Sequence, residues 1–119
     1  MWKMFDEVAK ELHETAVEKG FWSIAYKNEA WQEGRESLDI FMTKQLMMIV
    51  SEAVEVMEAI RKSKGPEEVA DEMADIIIRT LDLYAGLREF EYVNGSLDDA
   101  FEKKTGFNKL RPERHGVRF

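Results

Sequence analysis

The sequence predicts an all-α protein, because apolar residues recur at helical spacing through most of the chain and clear helix breaks separate the periodic segments. The strongest break is the run from Lys62 to Pro66, where Gly suits a helix C-terminus and Pro suits the first turn of the next helix. A connection this short forces the two helices it joins to pack antiparallel. We therefore expect an antiparallel helical bundle.

Each predicted element has its own signal. Residues 2–19 show apolar positions at helical spacing and end at Gly20. Residues 21–36 contain several aromatic side chains without clean periodicity, which indicates a structured connector. Two long central helices follow, from Ser37 to about Arg61 and from about Pro66 to Glu91. A shorter helix is expected from Ser96 or Asp98 through Lys104, after the turn at residues 94–96.

Length and composition fit one domain over residues 1–119. The chain has 119 residues, is 45% hydrophobic and contains no cysteine, so it can build a core of its own. No apolar run approaches the roughly 20 residues of a membrane span, and no secretory signal pattern is visible. We expect a cytoplasmic protein without a membrane partner.

Charge is unevenly distributed along the chain. Residues 1–102 carry 11 Lys/Arg and 23 Asp/Glu, whereas the basic tail, residues 103–119, carries six basic residues and one Glu. An acidic body argues against general nucleic-acid binding, which needs a basic surface. A basic tail beside an acidic metal site would suit a metal-complexed phosphate, and the alternative is a disordered basic extension.

Two carboxylate pairs carry the most chemical information. Glu52/Glu55 and Glu72/Asp75 are i,i+3 pairs separated by 16 residues and lie in the two central helices. Residues three apart share one helix surface, so antiparallel packing would bring the pairs face to face. Oxygen ligands of this kind suit Mg²⁺. The alternatives are a solvated helix face and, for Asp75, an ion pair with Arg79 four residues later.

The surroundings of these pairs favour partial burial. On the first central helix, one apolar stripe lies opposite Glu52 and Glu55 and consists of Leu46, Ile49, Val50, Ala53, Met57 and Ile60. Phe41 and Met48 lie on the carboxylate side by the same helical arithmetic. A helix that is apolar on several sides is buried, and carboxylates there need a partner.

The segments 49–61 and 72–79, which contain these pairs, resemble the MazG-like, all-α nucleoside triphosphate pyrophosphohydrolases. The resemblance extends over residues 10–119 and includes the following positions: His13, Ala16, Lys19-Gly20-Phe21-Trp22, Lys103, Asn108, Arg111-Pro112 and His115-Gly116. Thr15 departs from the Asn expected in the closest relatives.

The resemblance implies hydrolysis of a nucleoside triphosphate, (d)NTP, to the monophosphate and pyrophosphate, as in nucleotide-pool housekeeping. It implies a Mg²⁺ cofactor, with Mn²⁺ as a possible substitute, held by Glu52, Glu55, Glu72 and Asp75, and either Glu52 or Glu55 as general base. It also implies a MazG-type bundle completed in a homodimer or dimer-based homotetramer.

Substrate contacts follow partly from the same resemblance. It points to Lys103, Asn108 and Arg111 as phosphate contacts, and the interhelical loop adds Lys62 and Lys64. Trp22 and His13 are candidates for the nucleobase end, because an indole can stack on a base. Their alternatives are core packing for Trp22, a helix-surface histidine for His13, and ordinary surface charge for the cations.

Two other classes of function compete with the hydrolase. A non-enzymatic helical module could bind a basic partner through its acidic face, and burial of the carboxylates would distinguish it from the enzyme. A di-iron carboxylate protein needs Glu-x-x-His ligands. Neither His13 nor His115 has that spacing.

Overall fold

The computed structural model describes residues 4–26 and 35–110, with the side chains of residues 35 and 36 excepted. These ranges form five helices and no strand: α1 (Phe5–Glu18), α2 (Ser23–Tyr26), α3 (Arg35–Arg61), α4 (Pro66–Glu89) and α5 (Leu97–Leu110). The all-α prediction is confirmed. α4 packs against both α1 and α3, and α5 packs on α1. None of the described helices has the length and apolarity needed to cross a membrane.

The turn after α1 ends that helix at a glycine. Gly20 has a φ of +87°, and the N–H groups of Gly20 and Phe21 donate to the carbonyls of Val17 and Ala16. Such 5→2 and 6→1 bonds terminate a helix around a residue in the left-handed region, which Gly adopts without strain. The predicted break at Gly20 is confirmed. The short helix α2 follows and was not predicted.

The break between the central helices is also confirmed. α3 ends at Arg61, Gly65 has a φ of +105°, and Pro66 occupies the first turn of α4. Proline fits there because the first helical N–H has no intrahelical partner. The loop therefore returns the chain so that α4 packs along α3.

The last helix is longer than predicted. α5 continues beyond Lys104 to Leu110. The prediction was wrong because Thr105 and Gly106, although weak helix formers, lower helix stability by only about 1 kcal/mol or less each. A Cβ atom added at Gly106 would meet nothing within 4 Å, so no packing constraint interrupts the helix there.

The core gathers where α1, α2, the start of α3 and the end of α4 meet. Its buried members are Ala16, Trp22, Ala25, Leu38, Phe41, Met42, Leu83 and Phe90. Trp22 is 1% exposed and lies against Gly86 of α4, where a Cβ atom would come within 2.2 Å of the indole ring. The connector is thus anchored by an aromatic side chain that needs a glycine on the facing helix.

The apolar stripe predicted for α3 faces outward in the single chain. Leu46, Val50, Met57 and Ile60 are half exposed or more, and only Ile49 packs against the core. α3 instead packs on α4 through its carboxylate-bearing side, where Glu52 and Val56 are half-buried and Ala59 is buried. Sequence periodicity identified the stripe but could not indicate which side of α3 the chain itself covers.

Candidate metal centre and adjoining cleft

Three of the four predicted metal ligands converge between α3 and α4. Glu52, Glu72 and Asp75 each offer a carboxylate oxygen, and these oxygens lie within 4.8 Å of one another. Glu52 and Glu72 are half-buried, whereas Asp75 is exposed. A set of three carboxylates is a hard oxygen donor set, which fits Mg²⁺ or a similar divalent cation.

Glu55, the fourth predicted ligand, lies outside this group and is exposed. It is nevertheless close enough to act on the group electrostatically. Partial burial and the charges of Glu55, Glu52, Glu68 and Asp75 raise the pKa of Glu72. Like charges that crowd a carboxylate disfavour its ionised form, so a bound cation would relieve repulsion that the free protein tolerates.

Arg79 pairs with Glu52, not with Asp75. Its Nε donates to Glu52 Oε2 at 2.9 Å across the α3–α4 interface. The i,i+4 pair with Asp75 considered from the sequence is therefore replaced by a contact over 27 residues. The reason is that α3 presents a less exposed carboxylate to the same guanidinium, and helical spacing alone cannot reveal a partner on another helix.

Two of the three carboxylates, Glu52 and Asp75, line a cleft of about 400 Å³ between α1 and the α3–α4 pair. The α3–α4 pair contributes Glu52, Asp75, Ile78, Arg79 and Asp82 to its lining. α1 and the following turn contribute Leu12, Thr15, Ala16, Lys19 and Phe21. The cleft therefore combines metal-ligating oxygens, two cationic side chains and the exposed ring of Phe21.

A larger groove lies elsewhere along α1. It has a volume of about 1130 Å³, and its charged lining consists of Asp6, Glu7, Glu14, Glu18, Glu89 and Glu91 with Lys10 and Arg88. This excess of acidic groups would repel a polyphosphate. Within the described part of the chain, the only group of three convergent carboxylates is the one at the smaller cleft.

No family model matches the chain, and no curated protein or solved structure matches it either.

The two nucleobase candidates belong to a buried polar network. His13, which is 8% exposed, places Nδ1 2.8 Å from Asp82 Oδ1 and Nε2 2.8 Å from the Tyr26 hydroxyl. The Trp22 indole N–H donates to both Asp82 oxygens at 3.1 and 3.2 Å. Trp22 therefore packs in the core, which was its alternative interpretation, and His13 is not a helix-surface residue.

The hydroxyl of Tyr26 completes this network. Burial, together with the charges of Glu89 and Asp82, raises the pKa of Tyr26 to about 12. The hydroxyl thus keeps its proton. Because the Asp82 carboxylate only accepts, His13 Nδ1–H donates to it, and in the neutral imidazole Nε2 then accepts from the Tyr26 hydroxyl. Asp82 was not predicted as a site residue, although it continues the polar side of α4 three residues beyond Arg79.

The predicted phosphate contacts that the structure describes do not line the cleft in the single chain. Lys62 pairs with Glu58 at 3.5 Å, and Lys64 is exposed in the interhelical loop. Lys103 and Asn108 are exposed on α5. Arg111 lies outside the described residues. Instead, the structure places Lys19 and Arg79 at the cleft.

Proposed function

We propose that this chain is a Mg²⁺-dependent nucleotide pyrophosphohydrolase of the MazG-like type that cleaves a (d)NTP to the monophosphate and pyrophosphate. The observation that carries the proposal is the convergence of Glu52, Glu72 and Asp75 beside a cleft that also contains cationic side chains. Carboxylates alone suit many partners. Carboxylates and cations in one cleft suit a polyphosphate that arrives with its metal.

The residues divide the proposed reaction between them. Glu52, Glu72 and Asp75 would hold Mg²⁺, which polarises the attacked phosphate and neutralises the leaving group when bound. Glu52 or Glu55 would accept a proton from the attacking water. The water oxygen forms a bond to the α-phosphorus, the bond from that phosphorus to the α,β-bridging oxygen breaks, and pyrophosphate leaves with the electron pair.

Oligomerisation belongs to the same proposal. The exposed apolar side chains on α3 and α4 form surface that a second copy could cover, giving a homodimer or a dimer-based homotetramer. α5 packs on α1 of its own chain, so Lys103 and Asn108 would contact the substrate only if a neighbouring protomer brings them to the cleft.

The alternative function is a non-enzymatic acidic module, and the exposure of Glu55 and Asp75 favours it. The half-burial of Glu52 and Glu72 and their position beside the cleft favour the hydrolase. An acidic module would bind basic peptides and leave nucleotides intact.

Product analysis with a matched pair of variants tests the proposal. A panel of canonical, deoxy and damaged nucleoside triphosphates should include at least one that yields monophosphate and pyrophosphate in equal amounts. Glu52→Gln and Glu55→Gln should each lower turnover by about 100-fold or more, since each removes charge from the metal site or a candidate base.

Glu58→Gln is the control, because Glu58 lies on the same helix but pairs with Arg61 outside the cluster. This variant should retain wild-type turnover. Release of orthophosphate and diphosphate would place the attack at the γ-phosphorus and refute the assigned reaction. Full activity in Glu52→Gln would show that the carboxylate group takes no part in the reaction.

A further inference from the structure

Arg79 is the charged side chain that connects the carboxylate group to the open cleft. Its Nε donates to Glu52 Oε2 at 2.9 Å, and its side chain is 40% exposed whereas that of Glu52 is 16% exposed. Both side chains line the cleft. The guanidinium is thus anchored at one nitrogen on a proposed metal ligand while it remains accessible from the cleft.

The contact with Glu52 uses the Nε–H donor of the guanidinium. Arginine has five N–H donors in a planar fork that matches phosphate oxygens. In residues 4–26 and 35–110, Glu52 is the hydrogen-bond and ion-pair partner found for Arg79. The two terminal nitrogens therefore have donors to spare for an anion that enters the cleft.

Charge around the site also favours an anionic ligand at Arg79. A guanidinium beside three metal-binding carboxylates repels an incoming Mg²⁺ and competes with it for Glu52. An arginine at this position weakens metal binding unless another contact compensates the charge of its guanidinium. A phosphate group that bridges the metal and the guanidinium supplies that compensation, because it carries negative charge and acceptor oxygens for both.

We propose that Arg79 contacts the phosphate chain of the substrate, and that its bond to Glu52 holds it beside the metal site before the substrate arrives. This inference rests on the proposed function and deepens it. It transfers the phosphate contact from the residues predicted on α5 to a residue on α4. It also explains why the cation nearest the carboxylates lies on the wall of the cleft.

A purely structural role makes the opposite prediction for the metal. If Arg79 only oriented Glu52, its loss would weaken metal binding by about 10-fold to 100-fold, as loss of other residues that orient ligands does. If Arg79 contacts phosphate, its loss should weaken polyphosphate binding and leave Mg²⁺ binding unchanged or tighter. The two roles therefore differ in the sign of the effect on metal affinity.

Isothermal titration calorimetry on the full chain separates these roles. The probes are Mg²⁺ alone, and inorganic triphosphate at saturating Mg²⁺, which removes any dependence on the base. Arg79→Gln should weaken triphosphate binding by at least about tenfold, because it deletes charge-assisted hydrogen bonds, without weakening Mg²⁺ binding. Arg79→Lys should fall between the wild type and Arg79→Gln, since it keeps the charge but not the fork.

Arg61→Gln is the matched control. Arg61 donates to Glu58 at 3.0 Å on the exposed side of α3 and does not line the cleft, so both affinities should equal those of the wild type. Unchanged triphosphate binding in Arg79→Gln would overturn the inference. So would a loss of triphosphate affinity no larger than the loss of Mg²⁺ affinity, because Arg79 would then act only through Glu52.

The two proposals fail in different ways. If the wild type hydrolyses nucleotides and Arg79→Gln still binds triphosphate normally, only the role of Arg79 is refuted. If the wild type binds neither Mg²⁺ nor triphosphate, the proposed function is refuted and the role of Arg79 with it. Thermal melts of each variant establish that the compared proteins are folded.

Discussion

Glu72 lies among several other carboxylates of α3 and α4. Partial burial and the neighbouring carboxylates, first Glu55 and Glu52, raise its pKa. The folded protein therefore binds a proton at Glu72 more tightly than the unfolded chain does. Glu72 therefore increases the free energy of unfolding at low pH. This contribution is lost as the pH rises through the raised pKa. On the proposed assignment, Mg²⁺ and the proton would compete for the same carboxylate.

We predict that Mg²⁺ raises the thermal midpoint near pH 7, because a ligand that binds only the folded state stabilises it. The increase should shrink as the pH is lowered through the raised pKa of Glu72, because protonation of that carboxylate opposes metal binding. Glu72→Gln should abolish the increase, whereas Asp71→Asn, an exposed neighbour on α4, should retain it. Calorimetry that finds equal melting with Mg²⁺ and with chelator, at matched ionic strength, would contradict the metal site.

Asp6 shows the opposite shift at a junction of two helix starts. Burial alone would raise its pKa, but hydrogen bonds from the Ser96 hydroxyl and from the N–H groups of Leu97 and Asp98 lower it to about 2. Asp98 reciprocates by accepting from the N–H groups of Phe5 and Asp6 at 2.8 and 3.1 Å. Each aspartate thus caps the helix to which the other belongs.

This junction should make α5 sensitive to acid. The lowered pKa of Asp6 contributes stability above the unfolded-state value near 3.8, and that contribution is lost as the pH falls from there toward about 2. Asp6→Ala should lower the free energy of unfolding at neutral pH by about 0.5–2 kcal/mol, the usual effect of losing a helix cap. Chemical denaturation across this pH range measures both effects. A variant with the wild-type acid profile would show that the cap does not stabilise the fold.

At the scale of helices, α4 positions both the core and the site. One side of α4 carries Glu72, Asp75, Arg79 and Asp82 toward α3 and α1, and Gly86 continues that side where the helix meets the connector. Trp22 is held there by Asp82 and by edge contacts with His13 and Phe41 at centroid distances of 4.7 and 5.3 Å. The indole has little freedom to move away from α4.

Gly86→Ala should therefore destabilise the protein despite the higher helix propensity of alanine. The added methyl group would lie 2.2 Å from the Trp22 ring, and overpacking of this kind costs about 1–3 kcal/mol or more. Gly106→Ala in α5 is the matched control, because the added methyl group would meet nothing within 4 Å. This substitution should stabilise the protein by about 0.5–1 kcal/mol. Equilibrium unfolding of the two variants compares them directly, and equal effects would show that Trp22 does not constrain α4.

The whole chain leaves much apolar surface uncovered. On α3 and α4 together, large apolar side chains that are at least 38% exposed include Leu46, Met47, Met48, Val50, Val54, Met57, Ile60, Met73, Ile77 and Ile78. Contiguous exposed apolar surface is rare on monomers and marks interfaces. The outward stripe of α3, which includes Leu46, Val50, Met57 and Ile60, is thus the surface that the proposed second copy would cover.

Light scattering at micromolar concentration should give a mass that is a multiple of 13.9 kDa. Val54→Glu and Met57→Glu together should shift the mass toward a single chain, because they place charge on that exposed side. Lys44→Glu, a change at another exposed position on α3, is the control because it alters the net charge by the same amount and in the same direction. A monodisperse wild-type particle of about 13.9 kDa would refute the oligomer.

The sequence alone determined the features that depend on neighbours along the chain. Helical periodicity, the breaks at Gly20 and Gly65-Pro66, and the i,i+3 spacing of the two carboxylate pairs follow from local backbone geometry. Glu72 and Asp75 meet as that spacing predicts, whereas Glu55 lies outside the group that Glu52 joins across the helix pair. Short-range geometry is the same in any helix, so these features could be predicted without knowing the packing.

Only the tertiary structure decided how the helices are rotated against one another. That rotation turns the apolar stripe of α3 outward, pairs Arg79 with Glu52 over 27 residues, and places Lys19 and Arg79 at the cleft. Both sides of α3 carry apolar residues, so periodicity left the choice open. The contacts of Trp22 with Phe41 and of Arg79 with Glu52 hold α3 in one arrangement, and they join residues too distant in sequence for a local pattern to reveal.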